Sequence, residues 1–364
     1  MLSEKRKIRV LVVDDSAVMR KMIPSLLEKD GELEVVATAI DGDFALNKID
    51  QLKPDVVTLD IDMPRMDGLT ALSHIVSKHA IPVIMLSSLT TRGAALTMKA
   101  LEIGAVDFIC KPKAIAQVGE MAGELVSKIK AAARQKAVPL SVAPAVRRTA
   151  KKKTAAVPGI SSGGIVAIGA SSGGPHALRY MLPRIPTDFG AGIVVVQHMP
   201  ESFTAMFAQW LDEICDVSVR EARDGDVIAP GTVLIAPGNA HLRVRKRLNG
   251  GEVSLEKGSL VNGHMPSVDV LFKSVAEEYG TQSIAVLMTG MGSDGAEGLG
   301  LIKQSGGRTI AQDKESCAIF GMPRVAIEKG YAEKVVPLAD LASYLISAVG
   351  KADCLEVTGY GERR

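Results

Sequence analysis

Residues 165–174 read IVAIGASSGG, an apolar β-branched run that breaks into two serines fenced by glycines. The run has the make-up of a buried strand, and the glycines mark a sharp turn into whatever follows. Two chemistries use such a junction between strand and helix. A phosphate cradle needs backbone N–H groups with nothing in front of them. A nucleophile mount needs a turn that lifts one hydroxyl above the sheet edge. A P-loop would continue with Lys and then Ser or Thr, whereas this chain continues PHALRY. The dinucleotide pattern G-x-G-x-x-G is absent, because Gly169, Gly173 and Gly174 have the wrong spacing. Residues 169–173, GASSG, do fit G-x-S-x-G and centre it on Ser171.

The same alternation of strand and helix extends in both directions. Downstream come AGIVVVQH and TVLIAPG, then two short charged runs, HLRVRKRL and GEVSLEK, that meet at NGG and predict a hairpin. SVDVLFKSVAEEYG predicts a helix and SIAVLMTG a further strand. Upstream, IRVLVV, LEVVATA, DVVTLD, PVIMLS and AVDFIC predict five buried strands separated by helical patterns such as SAVMRKMIPSLLEK. The expected architecture is therefore α/β, with two doubly wound parallel-sheet domains. The second domain would carry the hairpin as an inserted antiparallel edge. The expected boundaries are 1–130 for the first domain, 131–160 for a flexible linker, 161–350 for the second domain and 351–364 for a tail.

Composition narrows the classes. A chain of 364 residues with 47% hydrophobic and 23% charged residues suits two globular domains. The net charge is +2, but seven basic residues and no acids fall between Ala131 and Ile160, so the remainder is mildly acidic. That argues against a broad nucleic-acid footprint outside the linker. Cys110, Cys215, Cys317 and Cys354 form no C-x-x-C pair, which speaks against structural zinc or a disulfide framework and for a reducing compartment. No run is long enough to span a bilayer, so a cytoplasmic location is expected.

Asp14 and Asp15 follow the first expected strand, Asp60 ends the third, Ser87 ends the fourth and Lys111 follows the fifth. Open α/β sheets bind ligands at the carboxyl ends of their strands, so these groups should meet at one edge. Crowded carboxylates are costly unless a hard divalent cation sits among them, and Mg²⁺ suits such oxygens. A hydroxyl and an ammonium facing a carboxylate are what the oxygens of an acyl phosphate require. VDDSAVMR, TLDIDMPRMDG, MLSS and FICKPK together resemble the receiver domain of bacterial response regulators over about residues 7–130. That resemblance implies Asp60 as phosphoacceptor, with Asp14 and Asp15 supporting Mg²⁺. Ser87 and Lys111 would contact the phosphoryl group, and Phe108 would be the aromatic that changes rotamer with it.

A serine hydroxyl is a poor nucleophile until a base takes its proton. Of six histidines, His74 and His79 fall in the first domain, and His176 lies just after the turn. His241 and His264 lie in polar loops, as surface residues do. His198 ends the strand expected beside the one carrying Ser171, which favours it as the base. Asp294, in the glycine-rich turn MGSDGAEG, is the candidate orienting carboxylate, although an Asp there could instead cap the next helix. GASSGG, VVVQHMP, IAPG, HMPSVDVLF, LMTGMGSDGA and SCAIFGMPR resemble the methylesterase domain of the chemotaxis protein-glutamate methylesterases, the CheB family, from about 162 to 350.

The family resemblance implies a phosphorylation-activated serine hydrolase that demethylates glutamate esters, and deamidates certain glutamines, on chemoreceptors. Ser171 would be the nucleophile, His198 the base and Asp294 its orienter. The N–H groups of Met291 and Ser172 would hold the oxyanion, although the family often has threonine at the position of Ser172. A chemotaxis histidine kinase would be the phosphodonor and methyl-accepting receptors the substrates, with Mg²⁺ needed only in the receiver and no cofactor in the esterase site. The rival expectation, a receiver-controlled DNA-binding regulator, has the basic linker in its favour. Against it, the second half carries no helix-turn-helix and no basic recognition helix.

Overall fold

A computed structural model describes residues 6–112, 118–134, 164–247 and 250–356, in two compact units, Met1–Val146 and Arg147–Arg364. In the first unit β1 (Ile8–Val13), β2 (Leu33–Ala39), β3 (Val56–Asp60), β4 (Val83–Ser87) and β5 (Asp107–Cys110) form one parallel sheet in the order β2-β1-β3-β4-β5. The strands are the five runs legible in the sequence, and near-continuous apolar runs are what strands covered on both faces require. Polar residues write the helix starts. Ser16, Asp41, Asp67 and Thr90 each accept the N–H of the third residue on, a cap that stabilises a helix by about 1 kcal/mol. Val10, Val12, Ile84 and Leu86 pack against Leu125 and Ile129 of the helix Val118–Arg134. The strand order reverses between β1 and β3, which opens a crevice at the carboxyl edge where Asp14, Asp15 and Asp60 stand.

That last helix corrects one expected boundary. It runs to Arg134, past residue 130, because the run Ala131–Ala133 is a strong helix former and Ala132 is buried in the core. The rest of the expected linker, 135–160, lies outside the described residues.

In the second unit the parallel strands are β6 (Ile165–Ala170), β7 (Gly192–Gln197), β8 (Ser218–Glu221), β10 (Thr232–Ile235), β13 (Ser283–Leu287), β14 (Arg308–Gln312) and β15 (Lys334–Val336). Their order is β15-β14-β13-β6-β7-β10-β8. The hairpin strands β11 (His241–Arg247) and β12 (Gly250–Glu256) pair antiparallel as expected. They do not extend the parallel sheet, however. They join β9 (Val227–Ile228) in a separate three-stranded sheet. The alternation in HLRVRKR explains this, since Leu242, Val244 and the facing Val253 turn inward onto Phe272 and Val275 of the helix Val268–Tyr279, while the arginines turn out. The helix Leu338–Glu356 continues past residue 350 into the expected tail, whose remainder lies outside the described residues. No helix among the described residues is long and apolar enough to cross a membrane.

Candidate active site

The register of the second sheet brings three strand ends level. Gly169 pairs with Leu287 of β13, and Ala170 pairs with Gln197 of β7. The ladder gains one more bond, from His198 N–H to the Ala170 carbonyl at 3.0 Å, so Ser171 and His198 are the next residues on neighbouring strands. Such strands run about 4.8 Å apart. The strand order reverses between β6 and β13, the kind of position at which open α/β sheets bind ligands, and Ser171 follows β6 there.

Glycines make the turn possible. Gly173 has φ +76°, a conformation that L side chains rarely adopt, and a Cβ there would stand 2.3 Å from the Ala318 Cβ. At Gly290 a Cβ would stand 2.7 Å from the Ser171 Cβ, so only glycine lets the loop after β13 approach the Ser171 turn. Thr289 binds that turn twice. Its carbonyl accepts the Ser171 N–H at 3.0 Å, and its hydroxyl donates to the Ser172 carbonyl at 2.9 Å. The N–H groups of Ser172 and Met291 make no hydrogen bond among the described residues.

His198 Nε2 and Asp294 Oδ2 are 2.8 Å apart, with both side chains almost wholly buried. Asp294 does not cap the helix that follows it, Ala296–Gln304, whose N-cap is Gly295 with no side-chain cap. Instead it faces the start of the helix Val268–Tyr279. Oδ2 accepts the Val268 N–H at 2.7 Å, and Oδ1 accepts the Ser267 hydroxyl at 2.8 Å, the Asn262 amide at 2.9 Å and the Asp269 N–H at 3.3 Å. Burial pushes this carboxyl upward, but the His198 contact and these donors outweigh it and hold the group well below the usual carboxylate range. An ionised carboxylate only accepts, so His198 carries its proton on Nε2. Its Nδ1 is buried and has no hydrogen-bond partner. The arrangement leaves a basic ring nitrogen free on the residue beside Ser171. Burial pushes the Cys110 and Cys317 thiols up to about 12, so neither is a competing nucleophile.

Neither of the two histidines expected in polar loops is an idle surface residue, and His241 is the first residue of β11. His264 stacks on His198 with ring centroids 3.7 Å apart and planes 13° from parallel. His241 is buried, with Nε2 2.9 Å from the Ser259 carbonyl and Nδ1 accepting the Ser267 N–H at 3.2 Å. Asn262 and Ser267, which grip Asp294, carry no signal of their own in the sequence. Only their place in the string NGHMPSVDVLF, next to an expected helix start, hinted at them.

In the first unit Asp14, Asp15 and Asp60 bring ligand oxygens within 4.8 Å of one another. Lys111 Nζ lies 2.6 Å from Asp60 Oδ2 and 2.9 Å from Asp14 Oδ2. Burial pushes the Asp60 carboxyl up to about 6, with the Asp14 and Asp15 charges adding to it and Lys111 opposing. Phe108 is buried, with Lys128 Nζ 5.4 Å from its ring centre. The Ser87 hydroxyl is buried and turned to the helix Thr91–Ile103, where it accepts from Thr97 Oγ1 at 2.8 Å and reaches the Gly93 carbonyl at 3.3 Å. The sequence placed Ser87 at the right strand end but could not show this engagement.

A serine, a histidine and a buried carboxylate gathered at one edge of a doubly wound sheet have the make-up of a serine hydrolase site, and the first unit carries a cluster of acidic residues of the receiver type. Comparison with known proteins makes this specific. The model of the CheB methylesterase family matches residues 166–345, and that of the response regulator receiver domain matches residues 10–122. A protein-glutamate methylesterase/protein-glutamine glutaminase of Koribacter versatilis is 49% identical over 348 residues, covering 93% of this chain and 95% of that protein. One from Pyrococcus horikoshii is 43% identical over 346 residues, covering 94% of each. The crystal structure of the Thermotoga maritima CheB methylesterase catalytic domain aligns with TM-score 0.51 at 44% identity, covering 52% of this chain and all of that one. The chain belongs to the CheB methylesterase family, with a response-regulator receiver domain ahead of its catalytic domain.

Proposed function

We propose that this chain hydrolyses γ-glutamyl methyl esters, and the γ-amides of particular glutamines, on the cytoplasmic parts of chemoreceptors, under the control of phosphorylation at Asp60. Family membership supports the ester hydrolysis and its control through a receiver. The residue roles rest on one observation above all: a buried Asp294–His198 pair that leaves His198 Nδ1 unpartnered on the residue next to Ser171.

In this reading His198 Nδ1 takes the Ser171 proton as Oγ attacks the ester carbonyl carbon. The carbonyl oxygen becomes an oxyanion, and the unengaged N–H groups of Ser172 and Met291 are the donors proposed to receive it. The carbon–oxygen bond to the methoxy group then breaks, and His198 returns the proton so that methanol leaves. Water, deprotonated by the same nitrogen, attacks the acyl-enzyme, and Ser171 regains its proton as the glutamate is released. With a glutamine substrate the leaving molecule is ammonia. Asp294 keeps the Nε2–H tautomer and stabilises the imidazolium that forms.

Three carboxylates within a few ångströms, one of them exposed, are hard oxygen donors that fit Mg²⁺ and leave room for water. Asp14, Asp15 and Asp60 would hold the ion, whose charge would offset that of an incoming phosphoryl group. Lys111 is placed to pair with a phosphoryl oxygen on Asp60. A chemotaxis histidine kinase is the proposed phosphodonor and the cytoplasm the proposed location. Neither the described residues nor the comparisons support the DNA-binding alternative. The test is methanol release from methylated receptor membranes, with and without acetyl phosphate and Mg²⁺. No release, or release unaffected by the phosphodonor, would overturn the reading.

A further inference from the structure

Gln197 is the last residue of β7 and is almost wholly buried between Ser171 and His198. Its amide nitrogen donates both hydrogens to backbone carbonyls, that of Ser171 at 2.8 Å and that of His198 at 3.1 Å. The two acceptors settle which end of the amide is nitrogen, since the flipped side chain would set an oxygen against two oxygens. Gln197 Oε1, by contrast, is buried with no hydrogen-bond partner. It lies over the first residue of the helix Gly174–Met181, where a Cβ on Gly174 would stand only 1.9 Å from it. A leucine or methionine would fill this space without leaving an acceptor unpaired. A buried amide that leaves its oxygen unsatisfied in order to bind two carbonyls of the site calls for an explanation.

We infer that Gln197 is a positioning residue that ties the nucleophile turn to the base and aims the Ser172 N–H at the developing oxyanion. This role rests on those proposed above for Ser171, His198 and Ser172. The Ser171 carbonyl and the Ser172 N–H belong to one planar trans peptide and point in opposite directions, so whatever fixes the carbonyl fixes the N–H. Two bonds hold that carbonyl: the turn bond from the Gly174 N–H at 2.8 Å and the Gln197 amide. The first is internal to the turn and would move with it. Only the second refers the turn to β7 and hence to His198. Thr289, bonded to the next carbonyl along, holds the other side of the same residue. The contacts are all to backbone, so they leave substrate binding untouched and act on the transition state through the direction of a donor.

The test uses the full chain, activated with acetyl phosphate, and methanol release from methylated receptor membranes. Gln197→Met keeps the length and apolar bulk of the side chain but removes both donors. Its kcat should fall by roughly one to two orders of magnitude with KM within about twofold, because a misaimed donor costs less than an absent one. Gly174→Ala is the second variant, since its methyl group displaces Oε1 and withdraws the amide from the turn without altering Gln197. It should show the same loss in kcat, and the losses should not multiply in the double variant, because both act on one contact. Circular dichroism identifies the folded variants. A folded variant of either kind with kcat within about threefold of the parent, a loss that resides in KM, or multiplying losses would overturn the inference. Ser171→Ala, assayed alongside, separates this failure from that of the underlying reading. If Ser171→Ala is inactive while Gln197→Met is not, only the role of Gln197 is lost.

Discussion

Asp294 Oδ2 meets His198 at Nε2, 2.8 Å away, which leaves Nδ1, the nitrogen nearer the backbone, without a partner and available for the proposed role of base. A base that works through Nδ1 must sit close to its nucleophile along the sheet. The pairing of Ala170 with Gln197 supplies that closeness by placing Ser171 and His198 one step beyond a ladder pair. The carboxylate then has to reach the far side of the ring, and it does so from the start of another helix. There the Val268 and Asp269 N–H groups, Ser267 and Asn262 hold it ionised.

Replacing either adjacent serine distinguishes the two hydroxyls. Ser171→Ala should reduce methanol release by roughly four orders of magnitude or more, as loss of a triad nucleophile does. Ser172→Ala should keep kcat within about threefold, because its N–H survives and its hydroxyl makes no hydrogen bond among the described residues. The reverse outcome would move the nucleophile by one position.

Asp294→Asn should lower kcat by about 10⁴-fold, since an amide no longer enforces the Nε2–H tautomer. The same carboxylate gives the catalytic unit a specific acid sensitivity. Its folded-state pKa is depressed, so the stability it contributes is present above the ordinary carboxylate range, near pH 4, and is lost as pH falls through and below it. Melting temperatures measured from pH 7 to pH 3 should therefore fall in the parent and fall less in Asp294→Asn. Parallel curves for the two proteins would contradict this.

Much of this site was legible before any coordinates. Asp60 and Ser87 end strands, Ser171, His198, Asp14, Asp15 and Lys111 follow strand ends, Asp294 lies in the loop after β13, and in a parallel sheet strand ends converge on one edge. What could not be read are the contacts made by residues outside that rule. His264 and Asn262 belong to a turn after the hairpin, and their partners are 66 and 32 residues away. The hairpin reads as an edge of the parallel sheet, but it forms a separate sheet with β9 because hairpin signals specify a partner strand and not the surface on which the pair lands. The helix end at Arg134 agrees with the helical pattern of GEMAGELVSKIKAAARQK rather than with a linker starting at residue 131, because alanine is a strong helix former.

Phosphorylation chemistry in the receiver should be separable from ester hydrolysis. Asp60→Asn should keep the basal rate of methanol release and lose all stimulation by acetyl phosphate, because an amide cannot form the acyl phosphate. Chelating divalent ions with EDTA should have the same effect on the parent, reversed by excess Mg²⁺, if Asp14, Asp15 and Asp60 bind the ion. Full stimulation of Asp60→Asn would show that another residue carries the signal. Full stimulation in EDTA would show that the acidic crevice works without a metal.

Thr97 is placed to oppose the proposed phosphoryl contact of Ser87. Its hydroxyl lies 2.8 Å from both Ser87 Oγ and the Gly93 carbonyl, and it holds the Ser87 hydroxyl toward the helix Thr91–Ile103. To donate to a phosphoryl oxygen on Asp60, as proposed, Ser87 must turn its hydrogen away from the Gly93 carbonyl and swing its oxygen out of the Thr97 contact. The hydrogen bond thus favours the unphosphorylated arrangement, and only such differential contacts shift a two-state balance. A neutral hydrogen bond contributes about 1 kcal/mol net, which corresponds to roughly a fivefold change in an equilibrium constant. Thr97→Val keeps the shape and removes the hydroxyl. It should lower the acetyl phosphate concentration for half-maximal stimulation by about fivefold, with the basal rate and the fully stimulated rate unchanged. Ser87→Ala, which removes the proposed phosphoryl contact itself, should raise that concentration. If Thr97→Val leaves the half-maximal concentration where it is, the Ser87–Thr97 bond persists in both states and does not oppose phosphorylation.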